Sequence, residues 1–275
     1  MSELRFRGAG ARVDLVASDL LPSGVRDLVL DVLAPLKVAV DSVSADGVVD
    51  VTEVGQDVLV DGTALPADVD KAAAVVVGAV DRRLLGTTRC LCLHAAVLGG
   101  ERGAAIAPAA SGAGKSTLVA AGLQAGLRLV SDEAACLDPV DDVLWPHPRP
   151  LGLDGNSRRL LGLPSPAHGP PDSERATAPA LLGLTAPVAR PVPAAVVVVL
   201  ERTSSEIPGA VVTSLSRGQG CAVLLANCLN IGPGRPWAPE AAWARLTALV
   251  QTLDVVRLRY DRPQEAAAAL AELLA

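Results

Sequence analysis

The sequence predicts an α/β protein: a larger core preceded by a small strand-rich N-terminal region. Three observations carry this. From about residue 90 onward, short apolar runs alternate with segments of helical period. Within that region a Gly-Ala loop, "APAASGAGKST" (107–117), lies between an apolar run and a helical one. Residues 3–62 instead break into short β-type pieces separated by glycine and polar residues. The expected division is a β-rich region with a helix over 1–86 and a larger α/β domain over 87–275, or one continuous domain.

The 275 residues are 50% hydrophobic, enough to bury a sizeable core, yet only 2% aromatic. That core must therefore be built from Val, Leu and Ala. Few aromatics are available for stacking bases, and the net charge of -6 repels phosphate backbones, so a nucleic-acid partner is not expected. No apolar run approaches the roughly 18 residues of a membrane span, so no membrane partner is expected either. "MSELRFRGAG" has no apolar signal core. The five cysteines are odd in number and form no paired Cys-x-x-Cys set, which fits reduced thiols and a cytoplasmic protein.

Along the chain, "LRFRG", "VRDLVLDVL", "LKVAVDSV", "VVDVTEV" and "DVLVDG" read as strands, and 65–86 as a helix bounded by Pro66 and Gly86. Over 90–107, two apolar runs flank "GGERG", a hairpin signal. That turn would set His94 across from Ala107 or Pro108. Residues 116–126 form a short helix, 127–133 a strand ending on Asp132 and Glu133, and "ACLDP" a further strand. A short helix is expected near 155–161, then an open Pro-rich loop over 164–179. "AAVVVVLE" and "GAVVTSLS" are strands, 218–230 and 239–253 helices, "DVVRLRY" a late strand and the Ala-rich C-terminus a closing helix.

Ala109, Gly114, Lys115 and Ser116 satisfy the Walker A spacing. The chemistry needs those residue types. Backbone N–H groups must turn inward around phosphate oxygens, which glycines allow. Lysine reaches the outer phosphates, Ser116 can ligate Mg²⁺, and the helix presents its positive end to the anion. Ala109, Ala110, Ser111, Gly112, Ala113, Gly114, Lys115, Ser116 and Thr117 are thus the expected nucleotide-binding residues. Only three lysines occur among 24 basic residues, so one inside this loop is informative. A strand–loop–helix–strand crossover would return the chain beside its starting strand and so bring Asp132 and Glu133 to the same sheet edge as the loop. One acid could bind Mg²⁺ and the other accept a proton from an attacking hydroxyl. His94, if the hairpin register holds, stands at the loop entrance as a third functional group.

The stretch "LHAAVLGGERGAAIAPAASGAGKSTLVAAGLQAGLRLVSDEAACL" resembles the catalytic core of HPr kinase/phosphorylase and its smaller relatives, which share a P-loop fold with phosphoenolpyruvate carboxykinases. His94 lies 21 residues before Lys115 and Asp132 lies 17 after it, matching the family's spacing. The resemblance implies an ATP- or GTP-dependent, Mg²⁺-requiring kinase. Catalytic roles would fall to His94, Asp132 and Glu133, and metal binding to Ser116, Asp132 and Glu133. The acceptor would be a hydroxyl, most simply serine, on a peptide or small protein. Among the smaller relatives are serine kinases that tail-phosphorylate lasso peptides. The likeness spans about 90–138. Glu133 stands where the family has Asp, and "DGNSRRLLGL" replaces its Glu-x-Arg-Gly-x-Gly segment, so phosphorolysis is not expected. The alternatives are a nucleotide-binding accessory or switch protein without turnover, and a kinase of a small hydroxylated metabolite. Arg149, Arg158 and Arg159 are candidate phosphate or substrate contacts, with Arg217 and Arg235 behind them. "PHPRP" (146–150) reads as a plain surface turn. Oligomeric state is left open, a homo-oligomer included.

Overall fold

The computed structural model describes residues 2–39, 43–109, 114–164, 175–177, 179, 183–184, 188–203 and 209–275. The chain divides into two compact units, Met1–Arg89 and Cys90–Ala275. Both are mixed α/β. No helix among the described residues is long and apolar enough to cross a membrane.

The first unit runs β1 (Glu3–Gly8), β2 (Ala11–Val16), α1 (Ser23–Val32), β3 (Lys37–Val38), β4 (Gly47–Val54), β5 (Asp57–Val60), β6 (Thr63–Ala64) and α2 (Val69–Thr87). Its sheet has the order β3-β1-β2-β4-β5-β6, with only β2 and β4 parallel among its pairings. Phe6, Val13, Leu15, Val49 and Val51 pack with Val25, Val29, Val76 and Val80 of the two helices. The segment "VRDLVLDVL", expected as a strand, is helical instead. Its buried valines, 25, 29 and 32, recur at helical spacing and form one face.

The second unit begins with β7 (Leu91–Gly99), β8 (Ala104–Pro108), α3 (Lys115–Gln124), β9 (Arg128–Ser131), β10 (Ala134–Leu137), β11 (Val143–Trp145), β12 (Leu151–Leu153) and α4 (Gly155–Leu160). It continues with β13 (Arg175–Thr177), β14 (Val192–Arg202), β15 (Val211–Ser214), α5 (Arg217–Ala226), α6 (Pro239–Thr252), β16 (Asp254–Tyr260) and α7 (Pro263–Leu273). The main sheet has the order β11-β10-β7-β8-β14-β16-β15, with β9 also on β7. β8, β14 and β16 are parallel neighbours. β11 pairs with the start of β14 as well, so the strand path closes on itself. Leu118, Leu123, Ala267 and Leu270 of α3 and α7 cover one face. Cys221, Leu224, Leu246 and Leu249 of α5 and α6 cover the other.

Three local differences from expectation bear on the site. The hairpin pairs Ala95 with Pro108 and Ala96 with Ala107, so His94 lies just past the end of β8. The crossover from β8 through α3 does not return beside β8. It places β9 on the far side of β7, antiparallel to it. Finally, the helix expected over 218–230 stops at Ala226. Asn227 and Leu229 bond to β7 instead: His94 N donates to Asn227 O at 2.7 Å and Leu229 N to Cys92 O at 2.8 Å. Past Pro108, β8 no longer satisfies that edge of β7, and this segment takes its place.

Candidate active site

β9 and β10 are two halves of one line of chain along β7, broken at Asp132 and Glu133. Val97 pairs with Ser131 below the break and His94 with Ala134 above it. The buried Ser131 hydroxyl makes the break. It accepts from Ala134 N at 3.0 Å and Glu133 N at 3.4 Å, drawing the chain into a local turn. The two acids therefore directly follow β9, in the interruption between it and β10. They still reach the loop after β8, because β8 and β9 flank β7 and run in the same direction.

The side chains converge from β7, α3 and the break between β9 and β10. Lys115, the first residue of α3, is buried, and its Nζ donates to Ala109 O at 2.8 Å. The same Nζ lies 2.9 Å from His94 Nε2, and His94 Nδ1 lies 3.3 Å from Glu133 Oε1. A protonated Lys115 must donate to Nε2, which sets the imidazole proton on Nδ1, facing Glu133. Ser116 Oγ donates to Asp132 Oδ2 at 2.8 Å. His94 is thus paired with Glu133 and Lys115, and the neighbour that tunes Asp132 directly is Ser116.

Burial governs the electrostatics. Asp132 is 4% exposed and its Oδ1 has no hydrogen-bond partner among the described residues. Desolvation pushes its carboxyl up to about 7, against the Ser116 hydrogen bond and with the neighbouring Glu133 charge adding to the rise. Burial also holds the Lys115 ammonium below its usual value, while the carboxylates of Glu133 and Asp132 oppose that shift. Gly114 caps α3 with φ 86°, a left-handed conformation that a side chain would strain.

Of the expected nucleotide-binding residues, Ala109, Gly114, Lys115, Ser116 and Thr117 surround this point. Ala110, Ser111, Gly112 and Ala113 lie outside the described residues, as do 165–174 and 178 of the expected open loop 164–179, whose residues Arg175–Thr177 instead form β13 against β12. Thr117 Oγ1 lies 2.8 Å from Ser157 Oγ, which ties α3 to α4. Of the three arginines, Arg149 belongs with the site: half-buried, its charge acts on Asp132. Arg158 does not. It is buried and donates to Leu153 O at 3.4 Å and Pro164 O at 3.0 Å, so it braces its own turn. Arg159 is exposed, and its charge acts on Asp154. "PHPRP" is not a plain surface turn, because His147 is fully buried and pairs with Ser131 through His147 N to Val130 O at 3.0 Å. Sequence reasoning missed Ser131, Asn227 and Asn230. Ser131 carried a legible signal, a serine directly before the two acids. The asparagines carried none, since their role depends on where β8 ends.

Among the described residues, no three His, Cys, Asp or Glu side chains cluster to hold a metal. Ser116 Oγ beside the unpaired Asp132 Oδ1 nonetheless suits Mg²⁺, which takes one or two protein oxygens and fills its shell with water and phosphate. Glu133 turns Oε1 to His94 rather than to this pair. No protein-family model matches the chain, and no curated protein is significantly similar to it.

Proposed function

We propose that this chain is a nucleotide-dependent kinase with a P-loop core of the HPr kinase/phosphoenolpyruvate carboxykinase type. It transfers the γ-phosphate of ATP or GTP to a hydroxyl, most simply serine, on a peptide or small protein. The observation that carries the reading is the convergence of an ammonium, a helix N-terminus and a buried carboxyl of near-neutral pKa at the loop after β8. A binding protein has use for the first two, whereas the third suits proton transfer.

In this reading the loop N–H groups and the first turn of α3 hold the phosphates, and Lys115 moves from Ala109 O and His94 to the outer phosphate oxygens. Ser116 and Asp132 would hold Mg²⁺, whose charge offsets that of the phosphates. Asp132 takes the proton of the acceptor hydroxyl as its oxygen bonds to phosphorus and the bridging oxygen leaves with the nucleoside diphosphate. His94, gripped by Glu133, faces the same point and orients the acceptor. Arg149 adds positive charge beside Asp132. Catalysis is then mainly positioning and charge neutralisation. The five free thiols fit a cytoplasmic setting.

The test is phosphotransfer from Mg-ATP or Mg-GTP to serine peptides. Lys115→Ala and Asp132→Asn are each expected to lower the rate by on the order of 10²–10³-fold. Transfer that survives both substitutions would overturn the assignment.

A further inference from the structure

At the opposite end of β8 from Lys115, the turn Gly100–Gly103 and the chain over 188–193 enclose a cleft of about 270 Å³. Three arginines line it: Arg102, Arg128 and Arg190. A single acid, Glu101, stands among them, in a chain whose net charge is -6. The local sign is therefore inverted relative to the whole molecule.

The walls are held in place. Gly100 N donates to Gly103 O at 2.7 Å, Arg102 N to Leu274 O at 3.0 Å, and Val188 N to Leu129 O at 2.8 Å. Gly103 adopts φ 131°, and a Cβ there would lie 2.6 Å from Pro193 O. Only glycine lets the turn and the start of β14 approach so closely, and that approach brings the arginines of the two segments together. Arg128 Nη2 donates to Gly100 O at 2.7 Å, which orients that guanidinium along the rim. The side chains of Arg102 and Arg190 make no hydrogen bond or ion pair among the described residues.

We infer that this cleft binds a small, multiply charged phosphate compound at a site separate from the loop after β8. Guanidinium groups offer planar paired donors that match phosphate oxygens, and they lose less hydration than ammonium groups on binding. The volume lies just below the roughly 300–1,000 Å³ of pockets for drug-sized ligands, which limits the occupant to a small anion. The inference does not depend on the proposed kinase activity.

The experiment is calorimetric titration of the full chain with inorganic pyrophosphate at matched ionic strength. Lys115→Ala serves as the background, because it removes the loop's own hold on phosphates. One saturable site is expected in that variant, weakened at least ten-fold by adding Arg102→Ala and Arg190→Ala. Both arginines are exposed, so the added changes leave the fold intact, which circular dichroism checks. Equal affinity with and without the two arginines, or binding abolished by chloride at the same ionic strength, overturns the inference. If the wild-type chain and Lys115→Ala bind alike but the arginine variants do not, the cleft stands and the loop's phosphate role fails.

Discussion

Asp132 is the residue on which most of the proposed chemistry turns, and its environment has a measurable consequence apart from activity. An ordinary aspartate titrates near 3.8, whereas burial moves this one to about 7. The folded state therefore holds the proton more tightly than the unfolded chain. The stability gained is complete below about pH 4 and is lost as pH rises through 7. At about 1.4 kcal/mol per unit, the loss is on the order of a few kcal/mol. Asp132→Asn keeps a neutral side chain at every pH. Its melting temperature minus that of the wild type is expected to rise from about pH 4 to pH 7 and to level off above that, and a flat difference across this window would show that the carboxyl is not perturbed. Gly114 makes a second residue-scale case. Gly114→Ala forces a side chain into the left-handed region and is expected to cost about 1–2 kcal/mol. Thermal unfolding checks the cost, and nucleotide titration checks whether the loop loosens with it.

At the level of elements, β7 is the member that organises the site. It carries His94, meets the break at Asp132 and Glu133 on one edge, and receives β8 and then Asn227–Asn230 on the other. Asn230 fastens that last segment. Its Oδ1 accepts from Cys92 N and its Nδ2 donates to Cys90 O, both at 2.9 Å and both buried. Asn230→Ala removes two buried hydrogen bonds and is expected to cost about 2–4 kcal/mol. It is also expected to lower phosphotransfer by displacing His94, which Asn227 O anchors. Equilibrium denaturation and kinetics together check this, and unchanged kinetics would place His94 under the control of β10 alone. The same element explains what the chain concealed. Residues 218–230 read as a continuous helix, and the vacancy left where β8 stops draws 227–230 onto the edge of β7 instead, through the Leu93–Cys228 bridge and its flanking hydrogen bonds.

Across the whole molecule, the two units keep separate cores. Phe6, Leu15 and Val76 belong to one, and Leu93, Ile106 and Leu118 to those of the other. Phe6 is fully buried, and truncating it removes one of the larger apolar side chains in the first unit. Phe6→Ala is expected to destabilise by about 3–5 kcal/mol. Hydrogen exchange should then quicken across residues 2–89 while the amides of β7, β8 and β14 keep their protection. Loss of protection throughout would show that the units fold as one.

Much of this was legible in the order of residues, because the signals are local. The hairpin comes from apolar runs around a Gly-rich turn, the loop from Gly-Lys-Ser between a strand and a helix, and α3 from the apolar run behind Ser116 and Thr117. The fixed spacing of His94, Lys115 and Asp132 marked the candidate site from the chain alone. The tertiary structure alone decided which groups touch. The crossover skips a strand, the hairpin register shifts, Ser131 breaks the line of β9 and β10, and so His94 meets Glu133 while Asp132 meets Ser116. Local periodicity records which face of a segment is apolar. It does not record which strand will lie beside it, since pairing is settled by burial and hydrogen bonds among residues far apart in sequence. The arginine cleft belongs to the same class, assembled from a turn near residue 100 and a strand near residue 190 that meet only in the fold.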